Sequence, residues 1–109
     1  MFSIGNNNKI TITQHDTGCF IFSTDNYTLT DGDEVHFIVK TSYESNEPII
    51  DICVTEFNEN NEAIIFISEN ESNISPDTYV YGICVHTRTG FICTVVNGKY
   101  KVMEGVHNG

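Results

Sequence analysis

Apolar and polar residues alternate with a period of two along most of this chain, and no window carries a convincing helical repeat. Side chains on a strand point to alternate faces, so this pattern buries one face and wets the other. In "KITITQ" Ile10 and Ile12 share a face opposite Thr11 and Thr13, and "GCFIFST" (18–24) is a second, more apolar strand. "LTDGDEVHFIVK" reads as a turn at Asp31-Gly32 and then a strand with Val35, Phe37 and Val39 inward and His36 and Lys40 outward. "PIIDICVTEF" sets Ile50, Ile52 and Val54 against Asp51, Cys53 and Thr55. The "NENN" turn (58–61) leads into "EAIIFIS" (62–68), a nearly continuous apolar run suited to a covered strand. "ENESNISPD" (69–77) is polar, ends in a proline turn and has room for one short helical turn. A hairpin follows, then "NG" at 97–98, a tight-turn signal, and a last strand "KYKVME". The spacing predicts an all-β chain: an antiparallel β-sandwich of about eight short strands, with a partly open β-barrel as the second choice. Contacts are expected to be mostly non-local, with the last strand at an edge or paired with a distant one. A chain of 109 residues is expected to form a single domain, with 1–8 and 105–109 as frayed ends.

The hairpin "YVYGICVHTRTGFICTVV" (79–96) carries two cysteines and a histidine around its turn. "TRTG" suits a type I turn with Gly90 in the left-handed region, forming a bulge, so that Thr87 pairs with Phe91. Val85 then faces Cys93, Ile83 faces Val95, and Cys84 faces Thr94. Neighbours along a strand alternate, so on this register Cys84 and Cys93 point to opposite sides and cannot share a disulfide or a metal. A two-residue turn at Arg88-Thr89 would instead set them opposite each other but give Gly90 no special task. Cys93 is expected in the core with Tyr81, Ile83, Val85 and Val95, as a small hydrophobe.

Charge narrows the function classes. The net charge is −10, and residues 31–79 hold twelve acids against Lys40 alone. Direct nucleic-acid binding is not expected, because no basic stripe exists to replace phosphate counterions. A basic protein partner is consistent with such a field. No apolar stretch approaches a membrane span and no secretory signal opens the chain, so no membrane partner is expected and the cytoplasm is the expected location.

Residue patterns that carry chemistry are weak. Cys19, Cys53, Cys84 and Cys93 form no CxxC knuckle, and His15, His36, His86 and His107 are scattered, so neither a metal site nor a cofactor is expected. "DGDE" (31–34) and "NENNE" (58–62) offer oxygen ligands but sit where hairpin turns are needed. No G-x-S-x-G elbow, activated cysteine setting or phosphate loop is present, and no catalytic residue is assigned. A non-catalytic binding protein is the expectation. Its candidate partner-binding residues are Glu56, Glu59, Glu62, Glu69, Glu71 and Asp77 in the acidic segment.

"ITITQHDTGCFIF" (10–22), "YTLTDGDEVHFIVK" (27–40), "SPDTYVYGICVHTRTG" (75–90) and "GKYKVMEGV" (98–106) give the chain a likeness to a known group. It resembles small all-β proteins of phages and prophages of Gram-positive bacteria, including the N-terminal domain of baseplate upper proteins. The resemblance implies a virion tail, baseplate or assembly component that binds phage structural proteins and forms a homo-oligomer. A compact, very acidic phage protein also looks like an anti-CRISPR inhibitor, which implies docking on the basic nucleic-acid channel of a host nuclease. Either implies the cytoplasm of a bacterial host, with incorporation into the virion in the first case.

Overall fold

The computed structural model describes residues 1–105. The elements are β1 (Phe2–Ile4), β2 (Ile10–Thr13), β3 (Gly18–Phe22), β4 (Glu34–Lys40), β5 (Ile50–Val54), β6 (Ala63–Ile67), α1 (Glu69–Ser72), β7 (Asp77–His86) and β8 (Ile92–Met103). Six strands make one curled sheet in the order β1-β2-β8-β7-β4-β5, and β3 and β6 pair as a separate ribbon. The chain is all-β: a half-barrel with a small second sheet. Pairing is antiparallel throughout, except that β2 runs parallel to β8, with Ile10 opposite Tyr100 and Thr13 opposite Met103. The last strand thus finds a distant partner, and joins the two ends of the described chain.

The core lies between the inner face of the curled sheet and the ribbon. Ile10, Ile12, Val35, Phe37, Val39, Tyr81, Ile83, Tyr100 and Val102 come from the sheet, and Phe22, Ala63, Ile65 and Ile67 from the ribbon. Alternation places each of them: in β4, Val35, Phe37 and Val39 are buried while the residues between them are half-exposed. Phe20 of the ribbon meets the ring of Phe37 edge-on at 5.6 Å, which locks the two layers together. The short helix α1 starts on a capping box. Ser68 Oγ accepts from the Glu71 backbone N–H at 3.2 Å, and the Glu71 carboxylate accepts from the Ser68 N–H at 2.9 Å.

The turn between β7 and β8 takes its expected form. Gly90 has φ +99°, its N–H donates to Thr87 C=O, and Thr87 N–H donates to Phe91 C=O. Val85 faces Cys93 and Cys84 faces Thr94. Beyond them the register slips, so that Ile83 faces Val96 and Val95 is the extra residue of a bulge. The slip changes which parity of β8 faces the core, and this is how Tyr100 and Val102 come to be buried.

Four expectations are corrected. Cys93 and Val95 are exposed, because this end of the hairpin lines an open groove of about 510 Å³ shared with Thr24, Asn26 and Tyr27 instead of packing into the core. Asn97-Gly98 is no turn: neither residue has the positive φ that a tight hairpin turn needs, and β8 passes straight through. Glycine is required at 98 for another reason, since an added Cβ would lie 2.6 Å from the Asn8 carbonyl oxygen and 2.7 Å from the Tyr81 ring. β6 is covered on one face only, leaving Ile64 and Phe66 exposed. Finally, the segment 1–8 is ordered into structure: Phe2–Ile4 form β1, antiparallel to β2 with Phe2 opposite Ile12, and Asn6–Asn8 make a 3-10 turn between them. Of the other expected frayed end, residues 106–109 lie outside the described residues.

Candidate protein-binding face

In the ribbon, Cys19 lies opposite Phe66 and Ile21 opposite Ile64. Their neighbours Gly18, Phe22, Ala63, Ile65 and Ile67 are buried, so by alternation these four side chains share the outer face. Ile21, Ile64 and Phe66 are 58%, 49% and 53% exposed. Scattered apolar residues on a surface need no explanation, but two adjacent cross-strand apolar pairs form a contiguous patch.

Along the chain the six acids fall into two groups, one on each side of β6. Glu56, Glu59 and Glu62 precede β6, while Glu69 and Glu71 of α1 and Asp77 at the start of β7 follow it. The five residues of β6 run about 16 Å at the usual strand rise, with Glu62 just before the strand and Glu69 just after it. The six are not equivalent. Glu62 accepts from Asn58 Nδ2 at 3.0 Å, and Glu71 serves the capping box, so both carboxylates already hold local structure. Asp77 accepts from the Thr78 N–H at 2.7 Å. The exposed carboxylates of Glu56, Glu59 and Glu69 have no partner among the described residues.

Both acidic turns are built by turn chemistry. Asn58 Oδ1 accepts from the N–H groups of Asn60 and Glu62, closing the 58–62 loop. Asp33, 1% exposed, accepts from Thr30 N–H at 2.9 Å, Arg88 N–H at 2.7 Å, Tyr27 O–H at 2.8 Å and the Arg88 guanidinium at 3.3 Å. This carboxylate ties the β7–β8 turn to the loop before β4.

A different constellation escaped the sequence reading. His36 and His86 do face outward, as alternation predicts, but they are not scattered. Glu34 is opposite His86 across β4 and β7, and His36 stands two residues along from Glu34. The imidazole centroids are 4.4 Å apart. His36 Nε2 lies 2.9 Å from Glu34 Oε1, and His36 Nδ1 lies 3.3 Å from Asp51 Oδ1. Partial burial draws the His36 pKa down, but hydrogen bonds and charge from Glu34 and Asp51 outweigh it and hold the imidazole above its ordinary value. Cys53 Sγ is 3.7 Å from the same Nε2. Burial first, and then Glu34 and Asp51, push this thiol up, which makes it a poor nucleophile. Only the strand register assembles this cluster, because its members come from three strands.

No family model matches the chain, and no curated protein matches it in sequence.

Proposed function

We propose that this protein is a non-catalytic protein-binding module whose contact surface is the outer face of β3 and β6. The observation that carries the reading is the row of uncovered apolar side chains, Cys19, Ile21, Ile64 and Phe66, with carboxylates beyond both ends. Burying the apolar centre drives association, and a charged rim sets encounter and orientation. The fitting partner is a protein with an apolar patch bordered by Lys or Arg.

The finer reading is a phage or prophage component of the virion tail, baseplate or its assembly, in the bacterial cytoplasm or the virion; its support is the resemblance of the strand and turn motifs. The alternative is an acidic anti-CRISPR-type inhibitor docked in the basic nucleic-acid channel of a host nuclease. The free carboxylates of Glu56, Glu59 and Glu69 favour that alternative.

The two readings differ in which part of the surface dominates, so salt separates them. Tagged protein is recovered from phage-infected bacteria at low and moderate salt, alongside two variants. Ile21→Ser with Phe66→Ser removes the apolar centre, and Glu56→Lys with Glu59→Lys and Glu69→Lys reverses the rim without touching Glu62 or Glu71. Tail or baseplate proteins retained at both salts and lost with the serine variant support the virion component. A guide-loaded nuclease lost at moderate salt and lost with the lysine variant supports the inhibitor. A partner that binds both folded variants as well as the parent removes this face from consideration.

A further inference from the structure

The geometry points to a second site: Glu34, His36 and His86 bind a divalent metal ion of the zinc class on the outer face of the curled sheet. Glu34 and His36 share that face because they are two apart on β4, and His86 is brought beside them by the β4–β7 pairing. One ligand atom from each lies within 4.8 Å of the other two. Zinc bonds of about 2.0–2.1 Å in tetrahedral geometry place ligands about 3.4 Å apart. The proposed site therefore requires side-chain rotations of about an ångström to reach that spacing. Two imidazoles with one carboxylate suit zinc and its neighbours in the first transition row, whereas calcium and magnesium prefer oxygen throughout.

Asp51 is a further observation pointing the same way. Its carboxylate faces His36 Nδ1, and His36 Nε2 faces Glu34. A carboxylate on the far nitrogen of a ligating imidazole fixes its tautomer and ring direction, which makes Asp51 a positioning residue. All three ligands are only half-buried, so an ion can reach them from solvent. Three protein ligands leave a fourth coordination position open, as in sites that exchange a water for another ligand. Two of the ligands, Glu34 and His86, also line a shallow groove with Gly32, Arg88 and Ile92. Nothing in this arrangement depends on the β3–β6 face.

The test uses tag-free protein stripped with chelator and dialysed. Zinc chloride is titrated calorimetrically and cobalt chloride by visible absorption, with thermal unfolding alongside. The expected result is one ion per chain and a thermal midpoint raised by zinc but not by equal magnesium or calcium. His36→Gln and His86→Gln each abolish the one-to-one binding. Asp51→Asn keeps the stoichiometry and weakens affinity by about 10–100-fold. Cys19→Ser and Cys93→Ser, elsewhere on the surface, leave binding unchanged. The proposal is overturned if folded protein binds no zinc at micromolar concentration, if binding survives both histidine substitutions, or if it disappears with either serine substitution. Circular dichroism checks each variant, and His86→Gln decides should His36→Gln fail to fold.

Discussion

Asp33 is the side chain on which most depends locally. It is buried, and it stays ionised because four donors point at it. Burial alone would push its carboxyl up; the hydrogen bonds from Thr30, Arg88 and Tyr27 and the Arg88 charge outweigh that and hold it below 3.8, its ordinary value. A depressed folded-state pKa stabilises fully above the unfolded value and loses that contribution as pH falls through the folded one. Asp33→Asn is therefore expected to lower stability by about 1.5–3 kcal/mol in urea denaturation at pH 7. The gap from the parent should narrow in acid, below the ordinary carboxylate value. Tyr100 presents the opposite case. Its hydroxyl is buried with no partner among the described residues, and burial, followed by the Glu71 charge, pushes its pKa well up. Tyr100→Phe should raise stability by about 1 kcal/mol, readable as a higher urea midpoint with unchanged slope. "DGD" was readable as a turn, but its reach to Arg88 was not. That contact spans 55 residues and depends on where two separate loops come to rest.

Single elements show where local pattern suffices and where it fails. The inward residues of β2, β4 and β7 followed from alternation, and the α1 turn had room in its polar segment, because both are decided within a few residues. The course of β8 was not readable: "NG" carries the same local preference whether the chain turns or runs on past a neighbouring carbonyl. Gly98→Ala tests that account. The added methyl must displace the Asn8 backbone or the Tyr81 ring, so a loss of about 1–3 kcal/mol is expected by thermal or urea unfolding. A loss under about 0.5 kcal/mol would instead match an ordinary exposed position. β6 misled for a related reason. A continuous apolar run makes both faces apolar, without showing whether this chain covers both. The His36 cluster became visible only with the register of β4 on β5 and β7, which no short window contains.

At the scale of the molecule, the −10 charge acts over a body measuring 44 × 32 × 25 Å. At about 10 mM salt the screening length, about 30 Å, spans most of it, whereas at 0.15 M it falls to about 8 Å and only neighbouring acids feel one another. Salt should therefore raise the unfolding temperature by a few degrees between those conditions. The gain should shrink in the variant with Glu56, Glu59 and Glu69 reversed to lysine; an unchanged gain would place the repulsion elsewhere. The all-β class was legible because alternation is a property of the whole sequence, but the parallel pairing of β2 with β8 was not. That pairing also sets a schedule. While the chain is being synthesised, β1 and β2 emerge first, yet their place in the sheet is beside residues 100–103. Until those residues have been made, β2 lacks its second neighbour in the sheet and the β1–β2 pair stands as a two-stranded hairpin, at best marginally stable in water. A nascent chain halted before Tyr100 has no neighbour for its opening strands, so the fold closes late, from its two ends at once.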